Sequence, residues 1–226
     1  MKVCKVLGVD TSSTQVAVGL IDSDHVVFDH YVDFGQFYSE KLIIAIHRLM
    51  EDAGVKIKEV DLFAVGLGPG AFTGLRIGVA TVKGLAFALD KPIVGIGSLD
   101  GLAMEVRLAK YPIVPVVDGK RGDVFYAIYQ DGERVTGYEV DKVGEFLDRV
   151  KSGEYIFVGD GADIYREQLI KLMNKRAHFI TPNPIAPRGA TIAWLGKLKC
   201  ERGELDDIKK LEPLYLHPPL AHIKDR

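Results

Sequence analysis

Residues 5–26 read KVLGVDTSSTQVAVGLIDSDHV, and residues 114–135 read VPVVDGKRGDVFYAIYQDGERV. With Asp10 laid on Asp118, Val16 falls on Val124, Leu20 on Ile128 and Val27 on Val135. Both stretches run apolar into Val-Asp, turn through polar residues and run apolar again. β-Branched runs broken by a short polar turn are the pattern of an antiparallel hairpin. Meeting the pattern twice predicts two copies of one supersecondary unit.

Reading outward completes the unit. HVVFDHY (25–31) is a third strand. Ser39 is placed to cap a helix that runs to about Ala53, with Gly54 as its stop. A strand over Leu62–Leu67, a glycine turn, a helix over Gly74–Leu89, the strand PIVGIG (92–97) and a helix capped by Ser98 follow. The order is βββαβα. In the second half a helix is expected near Lys142–Lys151. YIFVGDGADIYREQL (155–169) then echoes LFAVGLGPGAFTGLR (62–76), with Gly159 on Gly66 and Gly161 on Gly68. A helix over Thr191–Glu201 and a proline-rich tail from Leu211 close the sequence. The expected class is α/β, a duplicated βββαβα in two lobes. Residues 1–109 form the first, and residues 110–226 the second, reduced lobe with the tail.

The composition narrows the function. The chain is 47% hydrophobic and 27% charged, as a soluble domain with a core requires. A net charge of -2 argues against a stand-alone binder of nucleic acid or anionic membrane. Two cysteines, Cys4 and Cys200, make no disulfide framework, and a reducing cytoplasm is the expected setting.

The glycine turn, GPGAFTGLR (68–76), poses a chemical question, because strand-to-helix turns rich in glycine often hold phosphate. A nucleotide loop would need Gly-Lys before Ser or Thr at the helix start. Here Thr73 precedes Gly74, Leu75 and Arg76. Gly68, Pro69 and Gly70 therefore read as a structural turn. No two of the six histidines form H-x-x-x-H, so no zinc-protease motif is present and no metal is expected. Ser39, Thr73 and Ser98 read as caps or turn residues. None sits in a G-x-S-x-G elbow. No residue is assigned a catalytic role.

The informative chemistry is apolar. On the helix over Ser39–Ala53, Leu42, Ile46, Leu49, Met50 and Ala53 share one face. Ile44 falls among the polar residues opposite. The Gly74–Leu89 helix has almost no polar face. Leu75, Val79, Val82, Leu85, Ala86 and Leu89 make one stripe. Ile77, Ala80, Thr81, Gly84 and Ala88 make another, mostly of small residues. One stripe covers the helix's own sheet, and the second invites close approach by another helix. The Ser39–Ala53 helix of the same chain can fill part of this face. A two-helix layer still needs its outer side covered, which favours a helix of a second molecule. Ile44, Ile77, Ala80, Thr81, Gly84 and Ala88 are the expected partner interface.

A duplicated βββαβα unit resembles the actin, Hsp70 and sugar-kinase superfamily, whose lobes are ribonuclease H-like. GVDTSSTQVAVGL, YSEKL, GLGPGAFTGLRIGVATVKGLA, GSLDGLA and VDGKRGDVFYAIY together resemble the TsaB (YeaZ) family. The resemblance implies a subunit of the machinery that makes threonylcarbamoyladenosine at position 37 of tRNA. It implies pairing with a larger catalytic paralogue, TsaD, a further ATPase partner, TsaE, and a homodimer in isolation. ATP would be handled by the partners and tRNA met through them, with no membrane contact. In the superfamily an Asp ending the first strand and hydroxyls in the next turn hold metal-phosphate. Asp10, Thr11 and Ser12 match that motif, and Asp118 is its counterpart in the second lobe, followed by Lys120 and Arg121. The family usually has His-Ser-Glu and Asp-Ala-Arg where this chain has Tyr38-Ser39-Glu40 and Asp118-Gly119-Lys120. The reading is a non-catalytic scaffold or activator. Its rival is an independent small-molecule kinase or ATPase using Asp10 and Asp118.

Overall fold

The computed structural model describes residues 4–33, 38–184 and 186–216. The first lobe runs β1 (Lys5–Asp10), β2 (Gln15–Asp22), β3 (His25–Asp33), α1 (Tyr38–Asp52), β4 (Leu62–Gly66), α2 (Phe72–Ala88), β5 (Ile93–Ile96) and α3 (Ser98–Glu105). The second runs β6 (Ile113–Lys120), β7 (Asp123–Tyr126), β8 (Tyr129–Gln130), β9 (Glu133–Arg134), β10 (Glu139–Lys142), α4 (Val143–Val150), β11 (Tyr155–Val158), α5 (Asp160–Ile164), α6 (Arg166–Met173), β12 (Ala177–Phe179) and α7 (Gly189–Glu201). The first sheet has the order β3-β2-β1-β4-β5, and the second β10-β7-β6-β11-β12. The two orders are the same once β8 and β9 are set aside as an inserted hairpin. In each, an antiparallel meander is extended by parallel strands reached through helices. The α/β duplication stands.

Two details of the repeat are corrected. Asp10 pairs with Ala17 in the first hairpin, whereas Asp118 pairs with Val124 in the second. The second turn is thus one residue shorter, and Ala17, not Val16, is the counterpart of Val124. A one-residue slip exchanges the two faces of a strand, so the register decides which side chains match. The third strand of the second sheet is β10, which pairs with β7. Val135 lies before it and is no equivalent of Val27.

Alternation along β1 and β2 divides the first core. Leu7, Val9, Val16 and Val18 face α1 and α2, where they meet Leu42, Leu49, Val79 and Val82. Val6 and Ile21 face the other way, onto Ala190, Ile192 and Ala193 of α7. The 109/110 division assigns α7 to the second lobe, yet this helix packs on the first sheet. The reverse holds for α3. Its Leu99, Leu102 and Ala103 pack with Ile113, Val117 and Phe125 of the second lobe. Each half ends in a helix lent to the other half.

Glycine makes the α7 contact possible. A Cβ on Gly8 would overlap the Gly189 carbonyl oxygen, and one on Gly19 would overlap the Ala190 nitrogen. The helix backbone rests almost directly on the sheet. Both obstructing groups are backbone, which cannot swing aside as a side chain can. Among the described residues no helix is long and apolar enough to cross a membrane.

Gly19→Ala should therefore cost at least about 1–3 kcal/mol. Gly144→Ala, in α4 with nothing within 4 Å of the added carbon, should stabilise by about 0.4–1 kcal/mol. Urea denaturation of the two variants beside the parent measures both signs.

Candidate functional site

Asp10 ends β1 with no exposed surface. Its Oδ1 accepts hydrogen bonds from the Ser12 amide at 2.8 Å and the Ser12 hydroxyl at 2.5 Å. Its Oδ2 accepts from the Ser98 hydroxyl at 2.6 Å. Ser98 Oγ itself accepts from the Gly68 amide at 3.1 Å, and the Ser98 amide donates to the Gly68 carbonyl at 2.7 Å. The Ala71 amide donates to the Ser12 carbonyl at 2.6 Å. The first hairpin turn, the glycine turn and the start of α3 are thus one hydrogen-bonded knot around a single carboxylate. Burial drives the Asp10 carboxyl above its ordinary range, against the opposing pull of the Ser12 and Ser98 hydrogen bonds.

Three glycines make room for the knot. A Cβ on Gly66 would overlap Asp10 Oδ2, and one on Gly70 would overlap the Ser12 carbonyl oxygen. Gly68 has φ +95°, a conformation that favours glycine. Pro69 is buried between them. Thr11 is also wholly buried, donating its hydroxyl to the Gly74 carbonyl at 2.8 Å. Asp10, Thr11 and Ser12 come together as the sequence motif suggests, but their polar groups are bonded within the protein.

Ser98 is the residue the sequence reading missed. The N-cap of α3 is Gly97, and Ser98 sits inside the helix with its hydroxyl on Asp10. The partner is 88 positions away, so no local pattern could reveal it. Ser39 likewise falls within the first turn of α1, and its side chain lies outside the described residues, as do those of Tyr38 and Glu40.

Asp118 faces Asp10's knot across a cleft of about 320 Å³, whose walls include Ser12, Ser13, Gly70, Phe72 and Lys120. The Lys120 ammonium lies 2.7 Å from Asp118 Oδ2, and the Tyr165 hydroxyl donates to Oδ1 at 3.1 Å. Burial raises the Asp118 carboxyl, but the hydrogen bonds from Lys120 outweigh it and hold the group below the ordinary carboxylate range. The protein's own tail lines the same cleft. The Leu214 amide donates to the Leu67 carbonyl at 2.8 Å. The Tyr215 ring lies tilted against Phe72, with centroids 5.2 Å apart, and its hydroxyl accepts from Arg76 Nε at 3.1 Å. Among the described residues, no group of three or more His, Cys, Asp or Glu is placed to hold a metal ion.

The second candidate surface is the outer side of α1 and α2. Leu75, Val79, Val82 and Ala86 of α2 are buried on its own lobe. Ile77 and Thr81 are half-buried, while Ala80, Gly84 and Ala88 are exposed along the outer side. A Cβ on Gly84 would meet nothing within 4 Å. Ile44 is 48% exposed on α1. Two further apolar residues join this surface, Ile43 at 48% and Phe87 at 74% exposed. Phe87 follows Gly84 by three positions, the spacing of same-side neighbours on a helix, and that signal was available in the sequence.

The knot makes a pH prediction. A carboxyl whose folded pKa is raised supports stability below its unfolded pKa, and that support is lost as pH rises through the folded value. Asp10→Asn removes the titration and retains a hydrogen-bonding group. The parent should lose stability relative to Asp10→Asn as pH is raised from the ordinary carboxylate range. Asp10→Ala leaves buried hydroxyl and amide donors unpaired and should cost about 1–3 kcal/mol at neutral pH. Thermal melting of the three proteins across pH tests both statements.

Comparison with known proteins agrees with this architecture. Residues 34–224 match the family model described as TsaD, tRNA N6-adenosine threonylcarbamoyltransferase. The chain is 29% identical to the tRNA threonylcarbamoyladenosine biosynthesis protein TsaB of Bacillus subtilis, over 97% of this chain and 96% of that protein. It is similar to the solved structure of YeaZ from Pseudomonas aeruginosa, with a TM-score of 0.77, 27% identity and coverage of 94% of this chain and 100% of that one. A ROK hexokinase from Thermus thermophilus shares the fold at a TM-score of 0.52 and 13% identity, covering 88% of this chain and 100% of that one. With an actin-like two-lobe fold and matches that extend along most of its length, the chain belongs to the TsaD family of threonylcarbamoyladenosine proteins and, within it, to the TsaB (YeaZ) group.

Proposed function

We propose that this chain is a non-catalytic subunit in the biosynthesis of threonylcarbamoyladenosine on tRNA. It pairs with a larger, catalytic TsaD paralogue through α1 and α2. The observation that carries the reading is the uncovered stripe of Ala80, Gly84 and Ala88, flanked by exposed Ile43, Ile44 and Phe87. An apolar helix face with a glycine at its centre gains little from water and lets a second backbone approach closely. The fate of Asp10 supports the absence of independent catalysis, since its carboxylate accepts hydrogen bonds from Ser12 and Ser98 inside the wall. Asp118 is likewise engaged by Lys120.

In this reading ATP is handled by the partner subunits, TsaE joins through the complex, and tRNA is met through the paralogue. Without the paralogue, a second copy of the chain takes the same face. Asp10, Thr11, Ser12 and Asp118 are remnants of a phosphate site, and Gly68, Pro69 and Gly70 aim α2.

Gly84→Leu is the decisive variant. The added side chain has open space within the chain, and leucine is the better helix former, so the melting temperature should hold or rise. Close helix approach would be obstructed at a cost of about 1–3 kcal/mol, weakening pairing by about tenfold or more. Co-purification with the TsaD paralogue and light scattering read the pairing, and melting reads the fold. A variant that pairs as the parent does would remove α2 from the interface. Micromolar Mg-ATP binding with turnover by the purified chain alone would favour a kinase or ATPase instead.

A further inference from the structure

Beside the cleft that holds Asp118, the two lobes line another cavity, open to solvent, of about 690 Å³. Leu214 of the tail lines both. Much of the wall is apolar, with Leu67, Ile96, Met104, Leu195 and Leu198 contributing. Four cationic residues also line it: Arg107 just beyond α3, Arg134 on β9, and Lys199 and Arg202 at the end of α7.

Their charges are unequally matched. Arg134 lies 3.6 Å from Asp100 and stacks on the Tyr138 ring at 3.8 Å. Arg202 pairs with Glu204 at 2.8 Å and feels the charge of Glu133, a further lining residue. Arg107 has only a 3.4 Å contact with the Met104 carbonyl, and Lys199 a 3.1 Å bond to the Gly95 carbonyl. Among the described residues, neither has a carboxylate within 4.0 Å, although Lys199 shares the longer-range charge of Glu204 with Arg202. Asp100, another lining carboxylate, is already engaged. It accepts from the hydroxyls of Tyr129 and Tyr138 at 2.5 Å each, besides facing Arg134.

That arrangement also orders one wall of the cavity. Asp100 belongs to α3, while Tyr129, Arg134 and Tyr138 belong to the second lobe. Gly97 lets the Tyr138 hydroxyl reach in, since a Cβ there would overlap it. The latch ties α3 to the second-lobe side of the cavity, the wall that α3 already packs on. A preformed pocket between lobes, mostly apolar with a few convergent polar groups, is the common form of a small-molecule site.

We propose that this cavity binds a phosphate monoester of nucleoside-monophosphate size. Arg107 and Lys199 hold the phosphate, and the apolar wall holds the body. Two cations from different elements, neither in a close ion pair, suit a dianion, and a guanidinium suits phosphate in particular. A volume of about 690 Å³ suits a small molecule. The site stands apart from Asp10 and Asp118, and from the α2 face.

Isothermal titration of the full chain with AMP, ribose 5-phosphate, adenosine and inorganic phosphate tests the proposal. AMP or ribose 5-phosphate should bind saturably, with adenosine and inorganic phosphate each about tenfold weaker or worse. Arg107→Ala and Lys199→Ala should each weaken the phosphate ester by about tenfold or more, with unchanged far-ultraviolet circular dichroism. Lys120→Ala, in the other cleft, should leave binding as it was. Saturable binding by neither ester would overturn the proposal. So would binding that survives both cavity substitutions, or binding lost in Lys120→Ala and kept in Arg107→Ala.

Discussion

A carboxylate sealed from water must be satisfied by protein donors or give up its charge. Asp10 meets that demand with donors from two distant segments, and the geometry of the first lobe follows from it. Ser12 holds the hairpin turn under the carboxylate, and Ser98 holds the end of β5 beside it. The glycine turn is caught between them through Gly68 and Ala71. The direction in which α2 leaves the sheet is therefore set by hydrogen bonds outside the helix. One carboxylate is thus the centre of a structural joint.

The charges of α2 extend the same economy. Its charged residues are Arg76 and Lys83. Arg76 lies over Phe72 at 3.9 Å and donates to Tyr215, while Lys83 donates to the Leu211 carbonyl at 2.8 Å. Both cations are turned to the tail. The tail in turn buries Leu211 against the first core and sets Leu216 against the second. Holding the tail on one edge of α2 leaves the small-residue stripe uncharged and open.

Features encoded by neighbours in sequence were legible. The meander, the glycine stop at Gly54 with φ +63°, the turn at Gly68–Gly70 and the exposed Ile44 all follow from local pattern or periodicity. The duplication was legible too, because Asp10 and Asp118 punctuate both copies. Its register was not. Hairpin turns of different length present the same Val-Asp signal, and only the ladder shows which residue pairs with Asp118. Ser98 was misread for a related reason: a serine beside a helix start satisfies the capping pattern whatever its hydroxyl meets. The inward aim of Asp10 and the seat of α7 on Gly8 and Gly19 depend on contacts between segments far apart in the chain, which periodicity does not carry.

The lending of α3 and α7 between lobes bears on how the chain is made. Synthesis proceeds from the N-terminus, and domains generally fold as they emerge. Here the apolar side of the first sheet at Val6, Ile21 and Ala64 stays uncovered until Ala190–Ala193 has been translated. Contacts spanning most of a chain slow folding, because loop closure precedes any gain from the contact. The first lobe must wait on the ribosome as an open sheet, with its β1–β2 backbone bare where α7 will lie. A segment ending near residue 109 is an incomplete body, and the last long helix acts as the closing act of folding for the beginning of the protein.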